Sequence, residues 1–226
     1  VPRPRVIVGI PSGVTEVERR AVRAAAMEAG AREAILVEEP MAAAIGAGLP
    51  IDEPRGQMII DIGGGTAEIA VLSLGGIVLN KSLRIAGDEL TEAIIHFARM
   101  KHGLLLGDAS AEEVKIGIGS AVPTGSKTPL QIVVRGREIS SGLPMSTKFS
   151  EAEVREALAP TLQQIIRAIK DVLEETPPEL VSDILQHGIT MAGGGSLIRG
   201  IDKLISEATS MPVWVADDPL TAVARG

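Results

Sequence analysis

The residues best placed to do chemistry in this sequence are acidic side chains and glycines at the ends of apolar runs. Ile59 and Ile60 lead into Asp61, then Gly63, Gly64, Gly65 and Thr66. An acidic group that closes a strand, followed by bare backbone and a hydroxyl, suits a phosphate and a hydrated divalent cation. Glycine N–H groups can close on phosphate oxygens, Thr66 can donate a hydrogen bond, and Asp61 can hold a water of Mg2+. A hairpin turn with a capping Asp is the plainer reading, but three glycines exceed what a two-residue hairpin needs. A second cluster, Gly193, Gly194, Gly195 and Ser196, begins 130 residues after Gly63, follows another apolar run and leads toward a helix, so its backbone can pack against a flat ligand such as a nucleoside. Neither cluster matches G-x-G-x-x-G or carries the lysine of a P-loop. One nucleotide spanning both turns accounts for the pair better than either turn alone.

Other groups have two readings each. Glu38 and Glu39, ahead of Pro40, either polarise a water that attacks a γ-phosphate or form a solvated turn. Glu112 and Lys115 lie three apart on a predicted helix and either reach a ribose or pair with one another. His96, His102 and His187 have no metal-ligand spacing, and with no cysteine in the chain thiol catalysis and zinc ribbons are excluded. The 22 basic against 29 acidic side chains give a net charge of −7, which argues against a broad grip on nucleic acid. Phe97, Phe149 and Trp214 are the whole aromatic content, so bases find no stacking platform. No uncharged run approaches the roughly 20 apolar residues of a membrane span, and the start lacks a signal peptide's apolar region. The absent initiator Met, and an end inside a predicted helix, point to a piece of a longer chain.

The elements that must position these groups follow from pattern. Arg5 to Ile10 reads as a buried strand. Thr15 and Glu18 form a capping box over a helix with Val17, Ala21, Ala24 and Ala25 on one face, stopped at Gly30. Ala34 to Val37 is the next strand and Met41 to Gly48 a small-residue helix, which makes a βαβ rhythm. After a linker at Asp52 to Gly56, the runs Met58 to Ile62, Glu68 to Leu72 and Ile77 to Leu79 read as a meander. Asp88 caps a helix that stops at Gly103, and Ser110 with Glu113 boxes a shorter one. Leu130 to Val134 and Arg137 to Ile139 read as a hairpin around Gly136. Ser150 and Glu153 cap a long helix, kinked at Pro160 and ended by Pro177 and Pro178. A short helix, the strand Ile189 to Ala192, another helix and the strand Val213 to Val215 complete the pattern.

Read together, Ile35 to Gly48, Asp61 to Thr66, Arg84 to Glu89 and Gly188 to Gly200 resemble the actin/heat-shock-chaperone/sugar-kinase ATPase superfamily. Within it, Thr176 to Asp183 and Asp218 to Gly226 resemble the MreB family of bacterial actin homologues. The resemblance implies an α/β protein with the actin-like ATPase fold and ribonuclease-H-like βαβ lobes, the second complete and the first partial. Residues 1–54 would belong to the first lobe, 55–89 and 154–226 to the base of the second with the last residues returning to the first, and 90–153 to a small outer subdomain. It implies a weak ATPase using ATP/ADP and Mg2+, forming homopolymer filaments in the cytoplasm under the inner membrane. These would organise wall synthesis and rod shape with membrane-associated cell-shape proteins. Asp61 would hold the metal through water, and Gly63, Gly64, Gly65 and Thr66 would form a phosphate loop. Glu39 would align the attacking water, Gly193, Gly194, Gly195 and Ser196 would line the adenosine pocket, and Glu112 and Lys115 would reach the ribose or adenine. A chaperone-like or sugar-kinase ATPase is the alternative. The family's first phosphate loop, of the Asp-x-Gly-Thr kind, matches nothing here, which implies weak ATP binding and no activity for this stretch by itself.

Overall fold

The computed structural model describes residues 3–125 and 128–226. Strands β1 (Arg5–Ile10) and β2 (Glu33–Glu38) pair in parallel through helix α1 (Glu16–Glu28), the predicted βαβ crossover. The capping box forms as read: Thr15 N–H donates to Glu18 Oε2 at 2.7 Å and Glu18 N–H to Thr15 Oγ1 at 3.3 Å. Gly30, at φ 105°, follows the helix end. Burial of β1 is not seen, however: only Ile10 is buried, Ile7 is 67% exposed and α1 buries no residue. A two-stranded sheet with one helix has too little area to cover its own faces. Helix α2 (Glu39–Gly46) starts two residues before the expected Met41, with Pro40 in the first turn, where its missing N–H costs nothing.

The core lies around a second sheet. β3 (Gln57–Ile62), β4 (Ala67–Ser73) and β5 (Gly76–Leu83) form the predicted antiparallel meander. β9 (Ile189–Ala192) and β10 (Val213–Val215) join it in parallel, for the order β10-β9-β3-β4-β5. Side chains alternate across it with period two. Met58, Ile60, Ile62, Ile69 and Val71 enter the main core, while Ile59, Ala70 and Leu72 face Ala43 and Ala44 of α2 and Ala222 of the terminal helix α8 (Ala222–Arg225). By the same alternation Asp61, Glu68 and Ser82, which are cross-strand neighbours, share the face turned to α2.

Between these strands the chain builds α3 (Gly87–His102), β6 (Leu104–Leu105), α4 (Asp108–Ile118), β7 (Gln131–Glu138) and β8 (Pro144–Ser150), with a sheet of order β6-β7-β8. Helix α5 (Glu151–Glu175) keeps its Ser150/Glu153 capping box and runs unbroken through Pro160, burying Val154, Leu158, Leu162, Ile165, Ile169 and Val172. Helices α6 (Pro178–His187) and α7 (Ile201–Thr209) flank β9. Three expectations are corrected. Asp88 lies in the first turn of α3 rather than capping it, and Glu89 accepts the Ala86 N–H instead, at 2.8 Å. Helix α4 begins at Asp108, so Ser110 is inside it and no box with Glu113 forms. No hairpin turns at Gly136: β7 runs through it, and a Cβ there would stand 2.3 Å from the Leu105 carbonyl oxygen, so glycine serves a close strand approach. No described helix is long and apolar enough to cross a membrane.

Burial divides the helices into two classes with different mutational costs. Leu158→Ala should lower the unfolding free energy by about 2–5 kcal/mol, whereas Val17→Ala, at a side chain 76% exposed, should shift it by less than about 0.5 kcal/mol. Urea unfolding followed by the fluorescence of the single tryptophan, Trp214, measures both.

Candidate functional site

The two glycine turns, distant in sequence, leave the same edge of the large sheet. β3 and β9 are parallel neighbours with Asp61 opposite Ala192, so Gly63 and Gly193 follow at their adjoining ends. The first turn is closed by Gly63 N–H donating to the Thr66 carbonyl at 2.9 Å. It is buttressed by the start of α3, where the N–H groups of Gly87 and Asp88 donate to the carbonyls of Gly63 and Gly64 at 3.0 and 2.8 Å. In the second turn, Gly193 has φ 77° and a Cβ on it would lie 2.3 Å from the Ile62 carbonyl oxygen and 2.4 Å from Asp61 Oδ1. The end of β3 therefore demands glycine at 193. Gly64 is different: a Cβ there would meet only the Asp88 carboxylate, at an ordinary 3.5 Å, so packing within the chain does not require its bare backbone.

Between the turns lies a cavity of about 520 Å³, within the range of small-molecule sites. Gly63, Gly64, Glu112, Lys115, Gly194 and Gly195 line it, as do Gly87 and Asp88 and the apolar Ile116, Leu197 and Leu220. Gly65, Thr66, Gly193 and Ser196 are not in the lining. Ser196 is buried and spends its hydroxyl on the Gly193 carbonyl at 2.7 Å, holding the turn. Glu112 and Lys115 do pair, at 2.7 Å, and Lys115 also donates to the Gly87 carbonyl at 2.7 Å and to Thr91 Oγ1 at 2.8 Å. Partial burial pushes the Glu112 carboxyl up, but the hydrogen bonds from Lys115 and Thr91 outweigh it and hold it below its usual range. The pair lines the cavity and satisfies itself at once.

The carboxylates form a second cluster on the α2 face of the sheet. Asp61 is 6% exposed, and burial first, then the charges of Glu39 and Glu68, push its carboxyl up to about 6. Burial and Glu68 likewise raise Glu39. Among the described residues none of the three has a basic partner within ion-pair distance, and no three acidic or histidine side chains converge to ligate a metal directly. Glu38 differs from its neighbour, since Arg19 holds it at 3.0 Å. The structure thus separates two adjacent glutamates that sequence left unranked. Sequence reasoning missed Glu68, Gly87, Asp88, Ile116, Leu197 and Leu220. An acidic residue opening the apolar run Ile69 to Leu72 was the available signal for Glu68. The apolar residues carried none, because scattered exposed side chains become a wall only in the fold.

The model of the MreB/Mbl protein family matches residues 1–226. The chain belongs to that family. Among curated MreB/Mbl relatives, cell shape-determining protein MreB of Escherichia coli K12 is 52% identical over 225 residues, covering 100% of this chain and 64% of that protein. Cell shape-determining protein Mbl of Bacillus subtilis 168 is 42% identical, covering 99% of this chain and 67% of that protein. This MreB/Mbl chain therefore spans about two thirds of the length of the relatives it matches. The crystal structure of MreB5 of Spiroplasma citri bound to AMPPNP superposes with TM-score 0.93 at 41% identity, over 97% of this chain and 65% of that one. Its ADP-bound form gives 0.94 over 98% and 67%. A MamK double helical filament, at 23% identity and TM-score 0.79 over 99% of this chain and 67% of that one, shares the fold. The architecture is the actin-like ATPase fold.

The raised Asp61 sets a pH signature. The folded chain binds this proton more tightly than the unfolded chain, so the stabilising contribution is complete below the ordinary value of 3.8 and is lost as pH rises through about 6. In a chelator, the stability difference between Asp61→Asn and wild type should grow by on the order of 2–3 kcal/mol from about pH 4 to about pH 7. Urea melts at the two pH values check it, and a constant difference would contradict the assignment.

Proposed function

We propose that this chain is the greater part of an actin-like cytoskeletal ATPase that binds ATP or ADP with Mg2+ and assembles into filaments that set cell shape. The observation that carries this reading is the meeting of two glycine turns at adjoining ends of β3 and β9, around a cavity of nucleotide size, beside three carboxylates that have no basic partner among the described residues. Solved relatives at 41% identity bind AMPPNP and ADP, and the curated relatives determine cell shape. The activity is proposed for the complete protein, of which these residues supply the second lobe (55–89 and 154–226, with 90–153 as its outer part) and a portion of the first (1–54).

The backbone N–H of Gly64 binds a phosphate oxygen, while Gly63, whose N–H is given to the Thr66 carbonyl, holds the turn, with Thr66 at its far end. Gly194 and Gly195 form the floor under the nucleoside, Ile116, Leu197 and Leu220 supply its apolar walls, and the Glu112–Lys115 pair meets the ribose edge. Excess negative charge on oxygen donors suits a hard cation, and because the carboxylates do not converge for direct ligation, Asp61 would hold Mg2+ through a water. When bound, the ion neutralises charge that develops on the phosphates. Glu39 has no ion pair among the described residues, lies beside Asp61, and orients the attacking water. Hydrolysis would then change filament stability. We place the filaments at the cytoplasmic face of the inner membrane, with cell-shape proteins of that membrane as partners.

Pelleting and electron microscopy of the complete protein with Mg-ATP test this. Wild type should form filaments, Asp61→Ala should lose them, and Glu39→Ala should keep them while hydrolysing ATP about 10²-fold or more slowly. Absence of wild-type filaments, with ATP turnover stimulated by a peptide or a sugar, would replace this reading with the chaperone or kinase alternative.

A further inference from the structure

Glu68 has an unusual position for a charge. It is 1% exposed at the start of β4, on the sheet face where its successors Ala70 and Leu72 pack against α2. An apolar side chain would continue that face, and burying a carboxylate there is costly unless its oxygens are bonded. Its two bonds reach different parts of the chain. Ser82 Oγ, its cross-strand neighbour on β5, donates to Oε1 at 2.5 Å, and the backbone N–H of Ser12 donates to Oε2 at 3.3 Å. The second bond crosses from the large sheet to the turn Pro11–Gly13 that follows β1, which also draws close at Gly13, where a Cβ would lie 3.5 Å from that of Ser82.

That turn is tied to Glu39. Ile10 pairs with Glu38 in the parallel register of β1 and β2, and Gly9 abuts the Glu39 side chain, since a Cβ on it would sit 3.4 Å from Glu39 Cγ. A shift of the turn therefore moves the strand on which Glu39 rests, while Asp61 stays with the large sheet. We propose that Glu68 is a positioning residue: it straps the Pro11–Gly13 turn to the sheet that carries Asp61, and so sets the place of Glu39 relative to Asp61. The proposal rests on the ATPase reading above and adds a residue that acts through the placement of Glu39. The strap lies where a sub-ångström displacement of a water-orienting carboxylate is felt mainly in turnover.

The test uses the complete protein with three substitutions. Glu68→Ala removes both bonds and should lower kcat at least about tenfold while the apparent KM for Mg-ATP stays within about threefold. Glu68→Gln still offers an oxygen to Ser12 N–H and an N–H to the Ser82 hydroxyl, and should recover most of the loss. Hydrogen exchange at the Ser12 amide should be faster in Glu68→Ala than in wild type or Glu68→Gln. Should Glu68→Ala fail to fold, Ser82→Ala removes one bond without altering β4 and should give a smaller kcat loss. Wild-type kcat in Glu68→Ala, or Glu68→Gln as impaired as Glu68→Ala, overturns the proposal. If wild type turns over no ATP, the functional reading fails by itself, and unchanged Ser12 exchange in Glu68→Ala still overturns the strap.

Discussion

The parallel pairing of β3 with β9 is the interaction on which the rest of the site depends. It places Asp61 opposite Ala192 and brings the Gly193 backbone so near Ile62 and Asp61 that a single added carbon at 193 would collide with both. Parallel strands need a long connection, and here it runs through β4 and β5 and then α3 to α6 with the outer sheet. The helices that line the cavity, α3 through Asp88 and α4 through Glu112 and Lys115, belong to that connection. The cavity thus arises from the connection that makes the sheet possible, at the carboxyl end of the paired strands where open α/β sheets offer their crevice.

The same sheet carries a tension between stability and charge. Its α2 face is apolar along Ile59, Ala70 and Leu72 and then turns acidic at Asp61 and Glu68, with Glu39 facing them from α2. Burial and mutual repulsion raise the Asp61 and Glu39 carboxyls. A face of this kind gives up folding free energy to hold carboxylates in apolar surroundings. On one side of the cavity Lys115, Glu112, Thr91 and Gly87 instead bond one another, which fixes that rim before any ligand arrives.

Much of the fold was legible locally. The capping boxes at Thr15 and Ser150, the meander from Gln57 to Leu83 and the long amphipathic α5 follow from short-range hydrogen bonding and periodicity, which need no distant partner. Some failures fell where a distant contact decided, others where a helix began a residue or two away from the expected cap. Gly136 has the composition of a turn but is glycine because the Leu105 carbonyl lies against it. The Ser110 box lost to a helix start at Asp108, and the apolar run of β1 was read as buried although this chain covers only Ile10.

For the site, sequence by itself determined the chemistry on offer: two glycine turns after apolar strands, an acid ending one of them, and a glutamate pair ahead of Pro40. Those are properties of residue type and spacing within a few positions. Tertiary structure alone decided which of these meet. It set Gly63 beside Gly193 across 130 residues of sequence, committed Glu38 to Arg19 while leaving Glu39 without an ion pair among the described residues, and made Glu68 the neighbour of Asp61 and Ser12. Strand register and the crossing of separate elements settle such pairings, and neither is encoded in any short stretch of chain.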